Sequence, residues 1–138
     1  MRVIVAKSAG FCYGVERAVH TARSMAQEKN DCVMLGSIIH NANVVAELEA
    51  MGMRKADTWQ DVRPGETVLI RSHGEKKEVF EKLEAMGAKC VNATCPNVLR
   101  IQQIVAEADR EGRIPIIIGE KHHPEVMGVA SWSPRSII

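Results

Sequence analysis

Cys12 stands in Gly10-Phe11-Cys12-Tyr13-Gly14, and Cys95 in Asn92-Ala93-Thr94-Cys95-Pro96. Between and beyond them come Gly36-Ser37-Ile38-Ile39-His40-Asn41, Arg71-Ser72-His73-Gly74 and Gly119-Glu120-Lys121-His122-His123-Pro124-Glu125. Two thiolates suggest a soft metal or an iron–sulfur cluster, and several imidazoles beside helix N-termini suggest a multiply charged anion. Three cysteines on a four-iron cluster leave one iron open as a Lewis acid. Here two ligand candidates are in hand, Cys12 and Cys95, so a third would come from elsewhere.

Each residue also has a plainer reading. A single cysteine is most often a small buried hydrophobe. That reading suits Cys32 and Cys90, which fall in or beside strand patterns, better than Cys12 between its two glycines or Cys95 before Pro96. A helix N-terminus favours a thiolate, which both of the latter positions offer. His20 lies inside a helical pattern, where a solvated imidazole is the commoner outcome. His40, His73 and His123 stand out by position, while His122 is hard to separate from its neighbour. Glu125 reads either as a proton donor whose acidity burial weakens or as an ordinary first-turn glutamate favoured by the helix dipole. Arg17 and Arg71 could meet phosphate, or could be solvated surface residues.

The elements that must position these groups alternate. Short β-branched runs at 2–6, 32–35, 67–70, 89–92 and 114–118 read as strands. Helical spacing covers 15–28, 42–51, 75–86, 97–111 and 124–131, with Gly52, Gly87 and Gly112 as stops. Residues 135–138 read as the opening of one more strand. This β–α alternation predicts an α/β fold, parallel sheets with flanking helices. In such sheets ligands gather outside the carboxyl ends of the strands, which is where five successive runs deliver Cys or His.

The bulk numbers fit. Eighteen basic residues against 17 acidic give a net charge of +1, with 46% hydrophobic and 4% aromatic residues. No Lys/Arg run of nucleic-acid-binding length is present. No apolar run has bilayer-spanning length, and nothing resembles a signal peptide, so a soluble cytoplasmic chain is expected, with its cysteines reduced. No C-x-x-C pair and no G-x-x-x-x-G-K loop occurs.

The five motifs resemble, in order and spacing, those of the 4-hydroxy-3-methylbut-2-enyl diphosphate reductases: Gly10-Phe11-Cys12-Tyr13-Gly14-Val15-Glu16-Arg17-Ala18, the His40 and His73 segments, Asn92-Ala93-Thr94-Cys95-Pro96, and His123-Pro124-Glu125-Val126-Met127-Gly128. The resemblance implies a three-lobed α/β enzyme around a [4Fe-4S] cluster. Cys12 and Cys95 would be cluster ligands, His40, His73 and His123 would hold the substrate diphosphate, and Glu125, with His123, would serve catalysis near the departing hydroxyl. It implies reductive dehydroxylation of (E)-4-hydroxy-3-methylbut-2-enyl diphosphate to isopentenyl and dimethylallyl diphosphate, with electrons from ferredoxin or flavodoxin. Members of the family are longer than this chain, and the third cluster cysteine lies in the part beyond it. On this reading residues 1–95 form a first lobe with Cys12, His40 and His73, and residues 96–138 an incomplete second lobe with His123 and Glu125. The alternatives are a non-redox module for an anionic metabolite, and a structural metal site of Cys12, Cys95 and one histidine.

Overall fold

The computed structural model describes residues 1–28 and 31–138. Helix α1 (Tyr13–Glu28) leads into strand β1 (Cys32–Leu35), helix α2 (Ala42–Ala50) and strand β2 (Arg54–Ala56). A short 3-10 turn (Trp59–Asp61), strand β3 (Thr67–Ile70), helix α3 (Lys77–Ala85) and strand β4 (Lys89–Asn92) follow. Helices α4 (Pro96–Arg110) and α5 (Pro124–Ala130) complete the order. The four strands form one parallel sheet in the order β2-β1-β3-β4.

Alternation along the central strands divides the core between the two sheet faces. Cys32 and Met34 of β1 point with Leu69 of β3 to the side covered by Ala18, Val19, Ala22 and Met25 of α1 and by Val44 and Leu48 of α2. Val33, Leu35, Val68 and Ile70 point the other way, onto Val79 and Leu83 of α3 and onto Val62. A separate cluster joins Val98 and Val105 of α4 to Val129 of α5, with Ile117 and Trp132 against it.

The helices begin and end within two residues of the predicted bounds, because their punctuation is local. Asn41 caps α2 by accepting from the N–H groups of Asn43 (3.1 Å) and Val44 (3.3 Å). Pro96 opens α4 in the first-turn position where its missing N–H costs nothing.

The strand predictions fare less evenly. Residues 2–6 form no strand, and Val3, Ile4 and Val5 are 70%, 78% and 75% exposed. An apolar β-branched run becomes a strand only within a ladder, and neither sheet edge, β2 or β4, pairs with it. Residues 114–118 and 135–138 meet at one parallel bridge, Ile116 with Ile137, through Ile117 N–H to the Ile137 carbonyl (2.8 Å) and Ile137 N–H to the Pro115 carbonyl (2.9 Å). Strand β2 was not expected. Its Arg54-Lys55-Ala56 sequence has no apolar alternation, as suits a short charged edge. Cys32 is buried as expected, but Cys90 is exposed, because β4 is the other edge and its outer positions are uncovered.

Candidate functional site

Parallel pairing puts the carboxyl ends of β1, β3 and β4 along one edge, so the loops after them are neighbours. Backbone bonds then continue past the strands and lock those loops together. Ser72 N–H donates to the Ile38 carbonyl (3.0 Å), and Cys95 N–H donates to the Ser72 carbonyl (2.8 Å). The segments carrying His40, His73 and Cys95 are thereby held side by side.

Three histidines converge on this edge. The His40 and His73 rings stack with centroids 4.3 Å apart, and His123 meets His40 edge-on at 6.5 Å. Burial holds the His73 imidazole down at about 4, helped by the neighbouring His40, Arg71 and His123. Its Nδ1 is buried without a hydrogen-bond partner among the described residues. His123 caps α5, with its Nδ1 accepting from Glu125 N–H at 3.2 Å. A ring nitrogen that accepts carries no proton, which leaves Nε2 as the nitrogen available to donate. His122 is exposed beside it, and His20 lies on the solvent side of α1.

Cys12 and Cys95, distant in sequence, stand at the starts of two helices that meet where Cys95 packs on Gly14. Each directly precedes a helix, and their carbonyls accept the first bonds of α1 (Glu16 N–H, 2.9 Å) and α4 (Leu99 N–H, 3.0 Å). The Cys95 thiol packs on Gly14, two residues past Cys12, so close that a Cβ there would lie 2.5 Å from the sulfur. The Tyr13 phenol is raised above its usual range by lost hydration and then by the Cys95 and Cys12 thiols. No disulfide joins the four cysteines. A cavity of about 300 Å³ runs from Phe11 and Val15 to Ile39, His40, Asn41, Ser72 and His73, linking the cysteine loop with the imidazoles. That volume is at the small end of the range for small-molecule sites.

The two arginines left open by the sequence are both structural ties. Arg17 donates to the Thr94 carbonyl, joining α1 to the loop before α4. Arg71 pairs with Glu75 at 2.7 Å and donates to the Gly74 carbonyl at 3.3 Å, bracing the loop that carries His73. Glu125 lies half-buried in the first turn of α5, with no ion pair among the described residues. Thr94 and Gln102, both buried, carry unpaired side-chain polar atoms where they pack on Gly74. No sequence signal pointed to Thr94, Gln102 or the Arg17 tie, since each acts across a contact between distant segments.

In kind, the thiol pair fits a soft metal or a cluster. In number it falls short, because among the described residues no group of three His, Cys, Asp or Glu side chains is placed to hold a metal ion. No described helix is long and apolar enough to cross a membrane.

These features define an α/β protein with a paired-thiol and clustered-imidazole site at the carboxyl edge of a parallel sheet. The chain belongs to the LytB protein family, whose model matches residues 3–138. It is 40% identical over 136 residues to the 4-hydroxy-3-methylbut-2-enyl diphosphate reductase of Caldanaerobacter subterraneus subsp. tengcongensis, covering 96% of this chain and 47% of that protein. The Aquifex aeolicus reductase is 40% identical over 131 residues, covering 94% and 45% of the two chains. A solved structure of (E)-4-hydroxy-3-methyl-but-2-enyl diphosphate reductase superposes with a TM-score of 0.80 at 40% identity, over 94% of this chain and 46% of that one. The Plasmodium falciparum reductase structure gives 0.87 at 28% identity, over 95% and 42%. The chain therefore spans about half the length of the curated relatives it matches.

Proposed function

We propose that this chain acts as the N-terminal part of a 4-hydroxy-3-methylbut-2-enyl diphosphate reductase, working in the cytoplasm with ferredoxin or flavodoxin as electron donor. Cys12 and Cys95 would hold two corners of a [4Fe-4S] cluster, which when bound supplies electrons and one open iron. The observation that carries this reading is the seating of the Cys95 thiol on Gly14, two residues past Cys12, beside a cavity walled by His40 and His73.

The work left to this chain is binding and proton placement. His40, His73 and His123 receive the diphosphate. A neutral His73 costs little to desolvate, and an arriving anion raises its proton affinity, so the pocket gains positive charge only when the ligand brings the compensating negative charge. His123, its Nδ1 occupied by the helix cap, offers Nε2–H to a phosphate oxygen. Glu125, in the first turn of α5, supplies the proton that leaves with the substrate hydroxyl as water, with His123 two residues before it. Residues 1–95 serve as the lobe bearing Cys12, His40 and His73, and residues 96–138 as part of a second lobe bearing His123 and Glu125.

Anaerobic reconstitution of the chain with iron, sulfide and excess small thiol, the thiol standing in for the third ligand, tests the assignment. Up to one cluster per chain, with iron, sulfide and visible absorption all lost in Cys12→Ser and in Cys95→Ser, is the expected result. Iron and sulfide uptake indifferent to both substitutions would refute it.

A further inference from the structure

We propose that the first turn of α1 is a built seat for the Cys95 thiol, with Gly14 and Arg17 as positioning residues that set Cys95 against Cys12 before any metal arrives. The inference rests on the paired-thiol reading above and adds how the pair is held.

Gly14 is buried within a helix, and its backbone is not in the left-handed region that favours glycine. Alanine is the better helix former, and the helical backbone at residue 14 does not call for glycine's freedom, so local structure gives no reason for glycine here. Space does. A Cβ at residue 14 would lie 2.5 Å from Cys95 Sγ and 3.2 Å from Cys95 Cβ, closer than van der Waals contact permits. The absent side chain is filled by the thiol.

Arg17 stands one turn further along the same helix and donates to the Thr94 carbonyl. Thr94 is wholly buried, and the next N–H, that of Cys95, is held by Ser72 at 2.8 Å. Cys95 is therefore fixed at three points: the peptide before it by Arg17, its own N–H by the His73 loop, and its sulfur by Gly14. The apolar packing of α1 on the sheet runs through Ala18, Val19, Ala22 and Met25, whereas Gly14 and Arg17 meet the Thr94-Cys95 segment.

The test is cadmium titration of the reduced, metal-free 138-residue chain, followed by thiolate-to-cadmium absorption in the ultraviolet. Wild type should bind cadmium with both cysteines required. Gly14→Ala should keep its helix content, yet bind roughly 10-fold more weakly or worse, in the range seen when groups supporting a metal ligand are removed. Arg17→Ala should weaken binding similarly, and Arg17→Lys, which keeps one donor for the Thr94 carbonyl, should recover part of the loss. If Gly14→Ala melts lower than wild type, the Arg17 pair decides: loss with lysine rescue supports the seat, and equal affinity in all three proteins overturns it. Unchanged cadmium affinity in a well-folded Gly14→Ala overturns the seat while leaving the thiol pair standing. Binding that survives Cys12→Ser overturns the pair, and the seat with it.

Discussion

His73 shows how one residue reports on the whole site. Its ring is stacked 4.3 Å from His40, with Arg71 on its own loop and His123 beyond, so every charge that faces it is positive or potentially positive. With burial as the larger cause, these neighbours hold its folded pKa at about 4 against an ordinary 6.5. The sign of the linkage follows: between those values the unfolded chain takes up a proton that the folded chain refuses. Stability is unaffected by this group above pH 6.5, declines as pH falls towards 4, and levels below. Discounted for a half-exposed ring, the loss is about 1 kcal/mol. Melting curves between pH 7.5 and 4 should show this slope, and His73→Gln should flatten it. The same physics favours a bound anion. Pyrophosphate should bind with net proton uptake between about pH 4 and 6.5, measurable by calorimetry in buffers of different ionisation enthalpy. Uptake unchanged by His73→Gln would remove His73 from the anion site.

At the scale of elements, helix termini deliver the chemistry, and their caps tie stability to binding. Asn41 satisfies two orphan N–H groups of α2 and stands next to His40. Asn41→Ala should cost about 1 kcal/mol in denaturant unfolding and loosen the His40 loop, weakening pyrophosphate binding as well. A stability loss without any change in pyrophosphate affinity would mean that His40 is held independently of its helix. The elements also divide what the sequence could and could not reveal. Helices were legible to within two residues, because glycine stops, prolines and apolar spacing act locally. The gathering of His40, His73 and Cys95 was legible from the rule that parallel strands present their carboxyl ends together. Strands were legible only where a partner existed: 67–70 found neighbours on both sides, while 2–6, equally β-branched, found none. The exposure of Cys90 was not legible, because edge position is a property of strand order, which periodicity does not encode. The Arg17 tie to Thr94 joins a guanidinium to a backbone carbonyl 77 positions away, and a carbonyl leaves no mark in a sequence.

At the scale of the whole molecule, the distribution of aliphatic surface is the unusual feature. The two sheet faces are well covered, yet Ile101 and Ile104, three residues apart on α4, are 45% and 54% exposed, and Ile114, Ile116 and Ile118 lie open nearby in sequence. Single exposed isoleucines are ordinary, but paired ones on a helix face at this spacing form a stripe that water covers at a cost. The chain has about half the length of its matched relatives. For the 138-residue chain alone, the expected consequence is self-association through this face. Sedimentation velocity should show a concentration-dependent shift above the monomer value, and the double variant Ile101→Glu, Ile104→Glu should return it to the monomer. Glutamate is as good a helix former as isoleucine or better, so circular dichroism should stay the same and separate surface chemistry from unfolding. A variant that still associates to the same extent would place the adhesive surface elsewhere, with the exposed Val3-Ile4-Val5 run the next to test.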